Sequence, residues 1–364
     1  MTPLYLDANA TEPLRPAARE AVLAALDLLG NPSSVHAAGR AARQMLEQAR
    51  RRIAERFGTS PQEVVFTSGA TEANALALHS LGRGRSLGRG RRILAGATEH
   101  PAILRAVPGI VTVPVLPDGQ VDVAALAAAL AEGPPALVCL MAANNETGVL
   151  HPLEEIAPLC RKHDALLHVD AVQVAGRLPL DLAALGADSL ALSAHKLGGP
   201  KGAGALLLRR GLDLSALFTG GGQERGRRGG TEALPAIAGF AAAVAELDLA
   251  EGQKLAALRD AIEEGARAIV VGAGAPRLPN TSCLLLPGAP AETQVIALDL
   301  AGVQVSAGAA CSSGKVTASP VLQAMGLGAD AGCAIRVSLP WNAPPDAAQR
   351  FLTAYAEMRR RLGC

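Results

Sequence analysis

The chain has 364 residues, with 34 basic and 33 acidic side chains, a net charge of +1, 49% apolar residues and 2% aromatic ones. So balanced a charge gives no global pull toward nucleic acid or an anionic membrane, and the few aromatics leave no ladder for stacking bases. The length allows two domains, and no apolar run reaches the ~18 residues of a membrane span.

In chain order, apolar positions three and four apart predict helices over 16–29, 40–57 and 71–81, the last opened by Thr71 and Glu72. Short apolar runs then alternate with helical ones. Val64-Val65-Phe66, Ile93-Leu94-Ala95, Ile110 to Val113, Leu137 to Leu140, Leu166 to Val169, Ser189 to Leu192 and Ala205 to Leu208 are the expected strands. Continuous apolar strands separated by helices indicate a mostly parallel sheet covered on both faces, an α/β fold. A helical stretch near 233–268 follows. Beyond it Cys283 to Leu286, a helix at 291–301, Val303 to Val305, Ala334 to Ser338 and a helix near 345–361 indicate a smaller α+β domain.

The N-terminal stretch lacks a basic region followed by an apolar one, which reads as an unexported protein. Six scattered cysteines without a C-x-x-C pair argue against a disulfide framework or a zinc site and fit a reducing cytoplasm. Of the arginine clusters Arg83 to Arg92 and Arg225 to Arg228, the first reads as a solvated loop.

The chemistry concentrates in a few turns. Leu192-Ser193-Ala194-His195-Lys196-Leu197-Gly198-Gly199 places one of only five lysines, beside twenty-nine arginines, between a strand and a glycine turn. A Schiff-base lysine would sit there, with Ser193, His195 and backbone amides near an anionic group. In Leu167-His168-Val169-Asp170, an acid ends a buried strand, at the edge where open α/β sheets hold ligands. A pyridoxal phosphate ring nitrogen would give Asp170 its cation, although a strand-end Asp also serves as a cap.

Phe66-Thr67-Ser68-Gly69-Ala70-Thr71-Glu72 passes from strand to helix through small residues. Free amides and the Thr71 hydroxyl could grip phosphate, and the same pattern suits an ordinary capped helix. It lacks the Gly-Lys-Thr of a nucleotide P-loop. His100 could stack on a flat cofactor or be polar surface, and Asn144-Asn145-Glu146 offers either a ligand amide or plain turn chemistry. Ser306 to Lys315 is small throughout and carries Cys311 among hydroxyls and glycines, unlike Cys139 and Cys283 in apolar runs. Cys311 therefore reads as a nucleophile on a mobile loop of about 306–318.

Together with Tyr5 to Thr11, Asn31 to His36, Gly220 to Arg225 and Gly229-Gly230-Thr231, these segments resemble, in family order and over nearly the whole chain, the cysteine desulfurases of the NifS/IscS type. Those are class V pyridoxal-phosphate enzymes of fold type I. The resemblance implies a large domain over 13–248 with a seven-stranded sheet, and a small one from 1–12 and 249–364. It implies that Lys196 carries the cofactor, Asp170 holds the pyridine nitrogen, Gln173 and Asn145 address the phenolic oxygen, and His100 stacks on the ring. It gives the phosphate to Ala70, Thr71, Ser193 and His195, with Thr231 supplied across a homodimer that shares its active sites. Arg336, with Asn145, would bind the carboxylate of L-cysteine, and Cys311 would leave with the sulfur as a persulfide.

The uninterrupted run from Cys311 to Gly326 is similar to the long-loop group, so delivery to an acceptor or scaffold protein, for iron–sulfur clusters or other sulfur compounds, is the implied next step. No metal is implied at the cofactor, although Cys311 could meet an iron–sulfur cluster during transfer. Gly199 departs from the bulkier residue of many relatives, and Gly198 adds looseness. The rivals are a selenocysteine lyase or class V aminotransferase, which Cys311 argues against, and a non-catalytic sulfur-transfer scaffold, which the pairing of Lys196 with Asp170 argues against.

Overall fold

The computed structural model describes residues 2–82, 90–308 and 318–363. Strand β1 (Leu4–Tyr5) and helices α1 (Pro16–Leu26) and α2 (Ala37–Arg56) lead into β2 (Val64–Thr67) and α3 (Ala70–Ala77). Next come β3 (Arg92–Gly96), α4 (Pro101–Leu104), β4 (Ile110–Val113), α5 (Val123–Ala131), β5 (Ala136–Met141) and α6 (Leu153–Lys162). Then follow β6 (Leu166–Asp170), α7 (Leu182–Leu185), β7 (Ser189–Ser193), β8 (Gly204–Leu208) and α8 (Leu234–Ala245).

Strands β2 to β8 form one seven-stranded sheet in the order β2-β8-β7-β6-β5-β3-β4. It is parallel from β7 through β4, and only β8 runs against its neighbours. The reason is local: the turn after β7 is too short for a crossover helix, so the chain returns antiparallel. Because β2 opposes β8 and β8 opposes β7, β2 points the same way as β7. Six strand ends, those of β2, β3, β4, β5, β6 and β7, therefore open on one edge. β5, β6, β7 and β8 are buried throughout, as their unbroken apolar runs require.

The remaining elements are α9 (Ala250–Ala266), β9 (Ile269–Val270), β10 (Thr281–Leu285), α10 (Ala291–Leu300), β11 (Val303–Gln304), β12 (Ser306–Ala307), α11 (Pro320–Ala324), β13 (Ala334–Ser338) and α12 (Ala347–Leu362). A four-stranded sheet, β12-β13-β10-β9, packs with α9, α10 and α12 around Leu284, Ile335, Val337, Phe351 and Tyr355. Leu4 and Leu6 join this second core because β1 pairs with β11.

Three expectations are refined. The stretch near 233–268 is two helices, the Asp248 carboxylate accepting from Ala250 N–H at 2.9 Å where the second begins. The run 303–305 shortens to Val303–Gln304, which pairs with β1, and beyond Val305 a separate strand, Ser306–Ala307, pairs with β13. The helix expected over 71–81 narrows to α3, followed by one wider turn over Leu78–Gly82. No helix among the described residues is long and apolar enough to cross a membrane.

Candidate active site

The shared edge collects the turns singled out in the sequence. Thr67 lies opposite Gly204, and Gly204 opposite Ser193, so the cradle after β2 and the turn after β7 stand across one short strand. Only glycine permits this: a Cβ on Gly204 would sit 2.6 Å from the Gly69 backbone. Helix α3 starts at Ala70 with no side chain capping it, so its first amides face the edge unpaired by a cap. Thr71 is exposed there and Ser193 buried. Glu72 braces the cradle by accepting from Ser68 N–H at 2.7 Å and pairing with Arg228 at 2.8 Å.

Asp170 ends β6. Its Oδ2 accepts from the Asn74 amide at 2.7 Å and its Oδ1 from Val172 N–H at 3.1 Å. Burial pushes its pKa up, against those hydrogen bonds and the positive field of His100 and Lys196. Among the described residues no cation forms a salt bridge with it.

Lys196 follows β7, its Nζ donating to Asn9 O at 2.5 Å. Burial, then Arg336 and Arg177, lower its pKa to about 8, while Asp170 and Asp7 resist. The amine is thus an ammonium below about pH 8 and a free nucleophile above it. Reductive methylation with formaldehyde, mapped by mass spectrometry, is expected to modify Lys196 with a rate that rises through pH 8 and levels above it, the exposed Lys162, Lys201 and Lys254 serving as references. A Lys196 midpoint in the ordinary lysine range near 10.4 would show that its surroundings do not act on it.

The other expected residues lie around these two. His100 caps α4, its Nδ1 accepting from Ala102 N–H at 3.0 Å. Desolvation and Lys196 lower its pKa, with Asp170 opposing, which leaves a neutral ring at the mouth of the site. His195 lies with Nδ1 3.2 Å from Thr11 Oγ1, and burial and the neighbouring lysines bring it to about 4. Gln173 donates to Asn9 O at 3.1 Å and accepts from Arg177 at 2.7 Å, so its amide already has partners.

Asn145 contributes its carbonyl, which accepts from Asn9 Nδ2 at 3.1 Å and Arg336 Nη1 at 3.2 Å. For Asn144 the turn reading holds: its Oδ1 accepts from Glu146 N–H and Thr147 N–H. Arg336 is buried and donates Nη2 to Asp7 at 2.6 Å, and among the described residues its Nε has no hydrogen-bond partner. Thr231 is exposed beyond the loop that Arg228 ties to the cradle.

Gly198 is not loose. It holds φ at +80° and its carbonyl accepts from Arg15 N–H at 2.8 Å, a fixed left-handed turn.

Cys311 lies outside the described residues. Those flanking its stretch are close together at Glu146: Ser319 donates to Glu146 Oε2 at 2.6 Å, and a Cβ on Gly308 would lie 2.3 Å from the same oxygen. Ser306, just before, pairs with Arg336.

Two residues of the site carried no role from sequence. Asn9 accepts from Lys196 and Gln173 through its carbonyl, and Asn74 holds Asp170. The signal for Asn74 was its place on α3 between Ala73 and Ala77, a polar residue on a buried face. Among the described residues no group of three acidic, histidine or cysteine side chains could hold a metal ion.

A family model described as aminotransferase class-V matches residues 4–351. A protein named cysteine desulfurase from Cereibacter sphaeroides is 44% identical over 342 residues, covering 89% of this chain and 87% of the relative. The IscS-like cysteine desulfurase of Mycobacterium tuberculosis is 38% identical, over 98% and 97% of the two chains. The crystal structure of a NifS-like protein from Rickettsia africae superposes with a TM-score of 0.91 at 33% identity, over 98% of this chain and 99% of that one. With a half-buried lysine and a buried acid at the strand edge of a sheet shared with such relatives, the chain belongs to the class-V aminotransferase family, among its cysteine desulfurases.

Proposed function

We propose that this protein takes the sulfur of L-cysteine with the help of pyridoxal phosphate, releasing L-alanine and leaving a persulfide on Cys311. The carrying observation is the pair at the sheet edge: a half-buried amine whose pKa is lowered to about 8, and a buried carboxylate with two hydrogen-bond donors and, among the described residues, no salt-bridge partner. A vitamin B6 phosphate fits that set, needing an amine for its aldehyde, an anion for its ring nitrogen and open helix amides for its phosphate. When bound, it supplies an electron sink that makes the substrate α-proton removable.

The chain's own groups do the rest. Lys196 holds the cofactor and, once free, its amine takes the α-proton. Asp170 keeps the ring nitrogen protonated, Gln173 and Asn145 serve the phenolic oxygen, and the cradle of Ala70, Thr71, Ser193 and His195 binds phosphate. Arg336, whose buried Nε has no partner among the described residues, offers a charged N–H donor to the substrate carboxylate. His100, neutral and facing Asp170 and Lys196, moves the proton of the substrate thiol. The Cys311 thiolate then attacks the substrate sulfur: an S–S bond forms, the C–S bond breaks, and its electron pair stays with carbon, which gains a proton to become alanine.

The two cores fit a large domain over 13–248 and a small one over 1–12 and 249–364. Thr231 completes the cradle of a second copy across a homodimer. The open recess at Thr71, Leu217, Phe218 and Arg228, with Phe218 54% exposed, supports such a contact. Persulfide sulfur passes to an acceptor protein in the cytoplasm.

The test is turnover. Protein supplied with pyridoxal phosphate, L-cysteine and dithiothreitol is expected to yield alanine and sulfide in equal amounts and to bind the vitamin with a visible colour. Pyruvate and ammonia in place of alanine, or no colour, would reject this reading.

A further inference from the structure

The hydrogen bonds around Asp170 continue away from the site along a line that the proposed chemistry does not use. His168 and Asp170 are two apart on β6 and so project to the same face, the one covered by α3. His168 Nδ1 lies 2.8 Å from Ser189 Oγ, its direct cross-strand neighbour on β7. Its Nε2 lies 2.9 Å from Asn74 Oδ1, and Asn74 Nδ2 reaches Asp170 Oδ2 at 2.7 Å. Ser189, His168 and Asn74 are each at most 1% exposed.

Donors and acceptors can be assigned in one consistent way. Asp170, as an anion, only accepts, so the Asn74 NH2 faces it and the Asn74 oxygen faces His168. His168 must then carry its proton on Nε2, and Nδ1 must accept from the Ser189 hydroxyl. Burial that brings the His168 pKa to about 3 agrees with a neutral ring. Reversing the Asn74 amide would put oxygen against the carboxylate and NH2 against the Nε2 proton, two repulsive contacts in a dry interior.

We infer that Ser189, His168 and Asn74 are positioning residues, a buried relay that locks the amide of Asn74 toward Asp170 and so keeps that carboxylate ionised to hold a proton on the cofactor ring nitrogen. The inference rests on the proposed use of pyridoxal phosphate. Other charged groups facing Asp170 are His100 after β3, Lys196 after β7 and Glu99, whose carboxyl burial pushes well above its ordinary range. None of them touches Asn74 in the hydrogen bonds described, so among the described residues the sense of that amide is set at one end by Asp170 and at the other by the relay.

The experiment is nitrogen NMR of the holoenzyme loaded with pyridoxal phosphate labelled at the ring nitrogen, followed against pH, beside equilibrium titration of cofactor into the same proteins. His168→Leu removes the donor and frees Asn74 to turn. Its ring nitrogen is expected to lose its proton at a pH lower by about one unit or more, a tenfold change, with binding weakened in step. His168→Gln, whose amide N–H can stand where Nε2–H stood, is expected to restore most of both. Ser189→Ala, which leaves Nε2–H in place, is expected to move them least. A ring nitrogen that titrates alike in wild type, His168→Leu and His168→Gln would overturn the relay. If His168→Leu does not fold, equal titration in wild type and Asn74→Ser would overturn it too. A wild-type holoenzyme with an unprotonated ring nitrogen would instead reject the role given to Asp170.

Discussion

Replacing Lys196 by alanine is expected to lower alanine formation from cysteine by about 10⁴-fold or more, equivalent to about 5.4 kcal/mol on the barrier. Two losses combine. The amine that burial, Arg336 and Arg177 bring to a pKa of about 8 is, in the proposed reaction, the covalent anchor and also the base at the α-carbon. No other lysine among the described residues can substitute, since Lys162, Lys201 and Lys254 are all exposed, and His100 is directed by its own cap to Ala102. The cradle amides and Asp170 remain, so the variant should still bind pyridoxal phosphate, now dissociable by dialysis and without a mass adduct after borohydride. Alanine formation within tenfold of wild type would remove Lys196 from the chemistry.

Replacing Cys311 by alanine is expected to produce the complementary loss. Sulfide release and protein persulfide should fall by about 10³-fold or more, because a displacement at sulfur needs a thiolate and the substitute has no nucleophile. The cofactor colour and its cysteine-induced change should stay, because Lys196, Asp170 and the cradle are intact. Cys139, Cys160 and Cys283 cannot serve in its place: burial raises Cys160 and Cys283 to about 12 and Cys139 well above its ordinary value, so none is a thiolate at neutral pH. Mass spectrometry of the intact protein after cysteine treatment decides the matter, through a 32 Da gain on wild type (the mass of one sulfur atom, about 32 Da) that Cys311→Ala lacks. Undiminished sulfide from that variant would refute a persulfide on Cys311.

Much of the site was legible because its residues sit in turns, and turns have local signatures. Ser193 to Gly199, Ser68 to Glu72 and the acid closing β6 are each short runs in which residue type and neighbours state the chemistry. Gln173 and Arg336 were reached only through resemblance, and their partners explain why: Gln173 faces Asn9, 164 positions away, and Arg336 faces Asp7, 329 away. Asn74 was missed altogether. Within α3 it reads as one polar residue among alanines, and its meaning depends on β6 lying underneath.

The sequence by itself determined the alternation of buried strands and helices, the edge at which ligand-binding turns must gather, and the reactive residue types at that edge. Apolar periodicity and turn chemistry act over a few residues, so both are readable from local pattern. Tertiary structure alone decided where the helical stretch near 233–268 divides and that residues from both ends of the chain enclose Lys196. It also decided the sense of the Asn74 amide, because donor and acceptor roles in a buried chain follow from which groups are brought within about 3 Å, and pairing across strands and helices sets that distance.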